Sequence, residues 1–295
     1  MYYNAAVVSH TEEGFQNLIT SFANACKEFG LTISVKKTEV MGQNTTNPPI
    51  ITIGEKVLEV ADQFTYLGST ISSNMSLDRE FDKRIGKASG TMSRLNKRVW
   101  SNKLLTTNTK VRVYEMCVLS TLLYSSEAWT TYARQENRLN TFNLRCLRRI
   151  LGVTWEDKIT NIRILEQAKS VSIHSMLRLR RLRWLGHVSR MPHGRIPQEI
   201  MYGELASGQR SLGRPKLRYK DVCKQDLKLA NIDLKFWEGL ARDRDSWHAT
   251  VKCFVKQNEE QWRQQREEKC QKRKARLEQP RQASAFVCPY YNRDC

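Results

Sequence analysis

Apolar side chains recur at helical spacing over most of this chain, and at strand-like spacing only near its beginning. Between residues 9 and 30 they return every three or four positions, which predicts an amphipathic helix. Ser9 and Glu12 have the spacing of an N-terminal capping box, and Gly30 suits the position just after a helix end. The pattern therefore predicts a first helix over residues 9–30.

Short strands are predicted after this helix. The apolar residues of segment 31–35 alternate with polar ones, which is typical of a strand. Segments 51–53 and 57–60 flank a Gly-Glu-Lys turn and predict a β-hairpin. Residues 64–68 follow as a further short strand or turn. We therefore expect the strands to lie within the first 75 residues.

Helical spacing dominates the rest of the chain. One apolar stripe runs from Phe81 to Trp100, and residues 111–124 are apolar nearly all round, as in a helix buried within a bundle. Further helices are predicted over residues 139–150, 176–191, 219–229 and 236–255. The fold class is mainly α with a small β-containing N-terminal part. We divide the chain into residues 1–75 with the strands, 76–155 as a helical bundle, 156–255 as a basic helical domain, and 256–295 as a basic tail, either a solvated helix or disordered.

The charge is large and unevenly placed. The whole chain carries a formal charge of +19. Residues 1–75 contain four Lys/Arg and seven Asp/Glu, a net of −3, so the remaining residues carry +22. A basic excess confined to one part of a chain indicates a polyanionic partner. Nucleic acid is the leading candidate, and an anionic membrane surface is the alternative.

Composition favours an intracellular location, cytoplasmic or nuclear. The chain begins without the basic and apolar pattern of a signal peptide, and its longest apolar stretch, around residues 116–124, is far shorter than the ~20 residues of a membrane span. The eight cysteines are scattered singly, so we expect no disulfide framework. The five histidines lack the spacing of a metal or hydrolase site.

Four stretches, in order along the chain, resemble the non-LTR (LINE-type, jockey-like) retrotransposon reverse transcriptases. They are residues 29–39, 64–69, 122–129 and 181–188. The resemblance implies a C-terminal fragment of an RNA-directed DNA polymerase. Its first 75 residues would be a remnant of the palm, the helices that follow would form the thumb along the duplex product, and the rest would be a basic domain.

The resemblance also implies roles for three residues. Lys37 matches a lysine near the incoming triphosphate, a proton-donor position, and the alternative is a solvated lysine at a strand end. Tyr66 and Gly68 belong to a turn that resembles the primer grip, whose backbone holds the 3′ end of a primer. The alternative is a turn whose aromatic residue packs in the core.

Two departures from the family pattern affect the expected chemistry. Tyr3 and Asn4 stand where the family has the two aspartates that hold catalytic magnesium, and neither side chain is a carboxylate. We therefore expect no catalytic residues, no cofactor and no polymerase activity in this chain, since magnesium is needed only in a complete polymerase. Cys288 and Cys295 cannot supply the four ligands of the family's zinc finger, so we expect no metal site.

Arginines interleaved with leucines give the strongest binding signal. On a helix over residues 176–191 the leucines would pack while the guanidinium groups project along the opposite side, where they could contact phosphates. The alternative is a solvated face that keeps the protein soluble. A glycine-punctuated basic loop over residues 208–215 adds two more arginines. The predicted phosphate-contacting arginines are Arg178, Arg180, Arg181, Arg183, Arg190, Arg210 and Arg214.

The sequence thus predicts a catalytically inactive fragment that binds the backbone of RNA or of an RNA–DNA duplex. Two alternatives stay open: an incomplete gene model of an active reverse transcriptase, and a pseudogene product without a selected function. No membrane partner is expected. Phosphate contacts carry no sequence information, so the target sequence and the oligomeric state remain open.

Overall fold

A computed structural model describes residues 5–43, 45, 47–203, 213 and 216–278 of the chain. The structure is mostly helical, and its strands are short and lie in the N-terminal part, as the sequence predicted. The strands of the described residues form three separate two-stranded sheets. Each sheet is too small to hold a core of its own, so the helices provide most of the packing.

The first helix begins two residues later than its predicted capping box. Helix α1 spans Glu12–Glu28, and Thr11 is its N-cap because its hydroxyl accepts a hydrogen bond from the Gly14 amide at 3.1 Å. The expected cap at Ser9 is therefore wrong, since the Ser9 hydroxyl bonds the Thr11 backbone instead. Gly30 follows the helix with a φ of 68°, the left-handed conformation that glycine adopts without strain.

The strand predicted over residues 31–35 is wrong. Its apolar residues find no partner strand, Leu31 is exposed, and a short 3₁₀ turn forms at Val35–Lys37. The hairpin predicted over residues 51–60 is confirmed by antiparallel pairing of two of its strands. Strands Glu39–Val40 and Glu59–Val60 pair in parallel, and Gln63–Tyr66 pairs with Ser69–Ser72 in a second hairpin. The strands are β1 Glu39–Val40, β2 Thr52–Ile53, β3 Lys56–Val57, β4 Glu59–Val60, β5 Gln63–Tyr66 and β6 Ser69–Ser72.

Eleven α-helices are assigned within the described residues, and two of the helices predicted within residues 76–155 are interrupted. The stripe from Phe81 to Trp100 divides into an α-helix that ends at Arg94 and a π-helical segment, Asn96–Trp100. A second π-helical segment, Tyr114–Leu119, interrupts the helix predicted over residues 111–124. The helices after α1 are α2 Asp78–Arg94, α3 Thr107–Val113, α4 Ser120–Leu122, α5 Ala133–Leu151, α6 Asn161–Gln167, α7 Ile173–Ser189, α8 Ile196–Tyr202, α9 Tyr219–Leu229, α10 Trp237–Arg242 and α11 Arg244–Glu278.

The largest core joins α2, α5 and α6 to the first half of α7. Phe81 and Trp129 meet edge to face with ring centroids 4.8 Å apart, and Tyr114 is fully buried with its hydroxyl donating to Asn143 at 2.7 Å. This core continues to Leu177, beyond the predicted division at residue 155. A small separate core around Ile51 holds α1 against the first strands.

A second core joins the other half of α7 to α9, α10 and α11. Its largest fully buried side chain is Trp247 of α11, whose indole nitrogen donates to the Leu182 carbonyl at 2.9 Å. The helix predicted over residues 236–255 is two helices, because α10 ends at Arg242, before Asp243, and α11 begins at Arg244. Helix α11 then runs to Glu278, and its side chains from residue 264 to 276 are exposed. The solvated-helix alternative therefore holds for residues 264–276, whereas Glu259 near the start of the predicted tail is buried.

Candidate nucleic-acid interface

The sequence predicted that Arg181 projects into solvent, but the structure buries it. Its side chain is 4% exposed and lies between two carboxylates of the protein. Its Nε donates to Asp226 of α9 at 2.7 Å, and its Nη1 lies 3.0 Å from the Thr131 hydroxyl and 3.5 Å from Glu136 of α5. The expectation of an outward-facing Arg181 is corrected, because the acids that neutralise it lie 45 residues away on either side.

This buried network includes a histidine. Glu136 accepts hydrogen bonds from the Thr131 hydroxyl at 2.6 Å, and its other oxygen lies 2.7 Å from Nδ1 of His174. Burial raises the pKa of Glu136, but hydrogen bonds with His174 and Thr131 and the charge of Arg181 outweigh it, so the pKa is lowered overall. The network joins α5, α7 and α9, which makes Arg181 part of the protein's internal structure.

The other arginines of α7 also differ from the predicted open face. Arg178 lies 3.3 Å from Asp226, Arg180 donates to the Leu123 carbonyl at 2.8 Å, and Arg190 donates to the Ala241 carbonyl at 2.5 Å. All three are half-buried, and burial lowers the pKa of Arg180. Arg183 is the exposed one of the five predicted arginines of this helix. The phosphate contacts of these residues remain a prediction.

The turn that contains Tyr66 and Gly68 is held by helix side chains. Leu67 and Gly68 have φ angles of 47° and 84°, the paired left-handed conformations of a tight hairpin turn. The Tyr124 hydroxyl donates to the Leu67 carbonyl at 3.2 Å, and Nη2 of Arg84 donates to the Gly68 carbonyl at 2.5 Å. The predicted turn is present. Its two carbonyls already accept protein donors, so its use as a primer grip stays a prediction.

A buried ion pair supports this turn from below. Arg84 and Glu80 of α2 are both buried, with Nε 2.6 Å from the carboxylate, and the second Glu80 oxygen accepts the Thr70 amide at 2.7 Å. The guanidinium of Arg84 also lies 4.5 Å from the Tyr124 ring centre. Lys37 is exposed and ends the 3₁₀ turn, remote in sequence from this hairpin. Its predicted role as a proton donor is not tested by the structure.

Sequence reasoning missed a second basic surface, which α2 and α5 form together. The two helices lie side by side and run in the same direction. Their contacts show this, since a contact farther along α2 is also farther along α5. Arg134 contacts Asp78 at 2.9 Å, Arg138 pairs with Asp82 one turn later, and Arg149 donates to Asn96 at 3.0 Å. A groove of about 570 Å³ opens along this line. Its lining residues are Ile85, Arg134, Asn137, Arg138, Thr141, Phe142 and Arg145.

Exposed cations flank a flat strip on α2. We define the α2–α5 surface as this strip with the cations on either side of it. Along α2 the strip consists of small exposed residues, and a Cβ added at either of its glycines would meet nothing within 4 Å. The strip residues are Gly86, Ser89, Gly90 and Ser93, and the flanking cations are Lys87 and Arg94 of α2 with Arg138, Arg145 and Arg149 of α5, all exposed.

The helical bundle that carries this surface has a large basic excess. Residues 76–155 contain 15 Lys/Arg and 6 Asp/Glu, so their net charge is 15 − 6, or +9. Four of the six acids are already paired with arginines: Asp78, Glu80, Asp82 and Glu136. The arginines of α5 could have been found from their spacing of four and seven residues, but the small strip beside them needed the structure.

The described residues offer no other evident chemistry. Within the ranges that the structure describes, no group of three or more His, Cys, Asp or Glu side chains could hold a metal ion. No helix in the described part of the chain is long and apolar enough to cross a membrane. Six predicted positions lie outside the described residues: Tyr3, Asn4, Arg210, Arg214, Cys288 and Cys295.

Comparison with curated proteins gives a distant relative. An uncharacterized transposon-derived protein of Caenorhabditis elegans is 24% identical over 248 residues, which covers 80% of this chain and 88% of the relative. No family model matches the chain. No solved structure matches it either. The similarity points to a transposon-derived origin, and the link to reverse transcriptases in particular remains a prediction.

Proposed function

We propose that this chain binds the backbone of an RNA–DNA or RNA duplex on its α2–α5 surface, and that it does so without polymerase activity of its own. The observation that carries the proposal is the pair of exposed cationic rows on either side of the small strip of α2. The similarity to a transposon-derived protein supports a nucleic-acid partner. The non-carboxylate side chains of Tyr3 and Asn4 support the absence of catalysis.

The shape of the surface favours an A-form duplex over B-DNA. The minor groove of an A-form helix is wide and shallow and displays 2′-hydroxyl groups, whereas that of B-DNA is only about 6 Å wide. A strip without large side chains can approach such a shallow groove closely. The hydroxyls of Ser89 and Ser93 would then meet the ribose hydroxyls, and the cations on both sides would meet the phosphates.

The flanking cations make the proposed contacts electrostatic. Each phosphate contact releases condensed counterions, so the binding constant should fall with salt by a slope of about 0.7 to 0.9 per contact in logarithmic units. Such contacts position the protein without reading bases, which predicts similar affinity for unrelated sequences. A surface of this kind fits a protein that follows a duplex product.

Binding can be tested by fluorescence anisotropy with a labelled 20-base-pair RNA–DNA hybrid and the matching DNA duplex. We expect tighter binding to the hybrid. The triple variant Lys87→Gln, Arg94→Gln, Arg145→Gln should flatten the salt slope by about 2 to 3 units, because three contacts are lost. The control removes the same charge from exposed lysines elsewhere: Lys103→Gln, Lys158→Gln, Lys169→Gln. If both triple variants lose affinity equally, the surface has no specific role.

Catalytic silence is tested separately. Purified protein is given a primed RNA template, deoxynucleotides and magnesium or manganese, and primer extension is compared with a mock preparation. We expect none above the mock level, because no carboxylates stand at the metal-binding positions. Primer extension that occurs only when the protein is present would support the alternative of an active reverse transcriptase.

A further inference from the structure

The beginning of α11 is fixed against the last two turns of α7. The indole of Trp247 sits on Gly186, so closely that a methyl group at that position would overlap the ring. The same indole donates to the Leu182 carbonyl at 2.9 Å, and the indole is fully buried. This close approach determines which side chains of the two helices meet at the edge of the contact. We call that edge the α7–α11 junction.

Three arginines and a histidine gather at the junction. Arg183 of α7 lies two turns before Arg190, the C-cap residue of that helix, and Arg244 and His248 lie one turn apart on α11. Arg183 and Arg244 are exposed. Arg190 is half-buried, and its donation to the Ala241 carbonyl at 2.5 Å holds it beside the start of α11.

The junction has an excess of positive charge, because three arginines but one carboxylate act on His248. Burial lowers the pKa of His248, and the charges of Arg183, Arg244 and Arg190 lower it further, while Asp245 alone acts in the opposite direction. The nearby Asp243 carboxylate accepts the Ser246 amide at 3.0 Å and so caps α11. Like charges held together on a rigid packing contact are costly unless an anion lies between them.

We propose that the α7–α11 junction binds one phosphodiester group of the nucleic acid through Arg183, Arg190, Arg244 and His248. The inference rests on the proposed function and adds a second contact, separate from the α2–α5 surface. Two exposed guanidinium groups supply paired donors to the phosphate oxygens, and protonated His248 supplies a third. Because the phosphate offsets the repulsion from the arginines, His248 takes up a proton on binding, and binding strengthens as the pH falls through its titration range.

The test follows the imidazole signal of His248 by proton NMR, identified by its loss in His248→Gln. The probe is pentathymidylate at saturating concentration, whose phosphodiesters do not titrate between about pH 5 and pH 8, since the second phosphate ionisation near pH 6 belongs to monoesters only. We expect the pKa of His248 to rise in the complex, and the rise to vanish in Arg183→Gln, Arg244→Gln. An unchanged pKa in the wild-type complex overturns the inference. An equal rise with sodium sulfate at matched concentration overturns the assignment to nucleic acid.

Affinity for the RNA–DNA hybrid separates this inference from the proposed function. Arg183→Gln, Arg244→Gln should flatten the salt slope by about 1.4 to 1.8 units, because two contacts are lost. The control pair Lys228→Gln, Arg242→Gln removes equal charge from exposed side chains of α9 and α10 and should leave the slope unchanged. If only the α2–α5 variant changes the slope, the junction inference fails and the proposed function stands. If wild-type protein does not bind the hybrid, the proposed function fails first.

Discussion

Two arginine-bearing helices, α7 and α5, show that a run of arginines in a sequence does not determine whether their side chains face solvent. Helix α7 has the denser arginine run, yet Arg181 is buried between Asp226 and Glu136, and three neighbours donate to groups of the protein. Helix α5 carries five arginines spread along its length, and Arg138, Arg145 and Arg149 are exposed beside α2. The difference comes from what each helix packs against. Helix α7 is central to both large cores, whereas α5 keeps one face at the surface.

Removal of the buried arginine should give the largest effect. Arg181→Gln leaves two carboxylates near each other without their cation, and breaking a buried ion pair in this way costs about 3 to 5 kcal/mol. Urea denaturation followed by circular dichroism measures the free energy of unfolding. The matched control is Arg145→Gln on α5, which should change stability by less than about 0.5 kcal/mol, as surface substitutions usually do. Equal effects of the two changes would erase the contrast between the helices.

Gly186 tests the packing of α7 without any change of charge. A methyl group at Gly186 of α7 would overlap the Trp247 indole, which is buried and hydrogen-bonded to Leu182. Gly186→Ala should therefore destabilise the protein by about 1 to 3 kcal/mol, the usual cost of overpacking. The measurement is the shift of the urea midpoint. A neutral result would mean that α7 and α11 can separate at this point, and would weaken the account of the α7–α11 junction.

The buried network also predicts a dependence of stability on pH. The folded-state pKa of Glu136 is lowered, so its carboxylate stabilises the fold. This stabilisation is fully present above the unfolded pKa of about 4.3 and is lost as the pH falls through the folded-state pKa. Glu136→Gln removes this titration. We expect the variant to be less stable than wild type at pH 7, by less than the Arg181 variant, and the difference to shrink toward pH 3. A difference that stays constant over this range contradicts the assigned role.

The helices and the uneven charge along the chain could be predicted from sequence. Whether an individual charged side chain is buried or exposed could not. The apolar stripe from Phe81 to Trp100 correctly predicted which residues of this segment face the core, because apolar residues at helical spacing lie on one side of a helix. Arg181 was predicted to face solvent because few acids lie near it in sequence, but Asp226 and Glu136 reach it through the tertiary fold. The Leu67–Gly68 turn was found from its resemblance, whereas its support by Arg84 and Tyr124 required coordinates.

The smallest expected effect is a gain in stability with a loss of binding. Gly86 and Gly90 lie inside α2 with negative φ, and nothing within 4 Å would meet a Cβ at either position. Glycine in a helix interior costs about 0.5 to 1 kcal/mol relative to alanine, because the unfolded chain has more freedom to lose. Gly86→Ala and Gly90→Ala should each stabilise the fold by about that amount, measured by urea denaturation.

The same two variants should weaken binding to the RNA–DNA hybrid if a shallow groove lies on the strip. A methyl group there raises the surface of α2 where the duplex would approach, without removing a charge, so affinity should fall while the salt slope stays the same. The control is Gly239→Ala on α10, where a Cβ also meets nothing within 4 Å. It should stabilise the fold similarly and leave affinity unchanged. If all three variants bind as wild type does, the small residues of α2 do not face the duplex, and the cations beside them act from a greater distance.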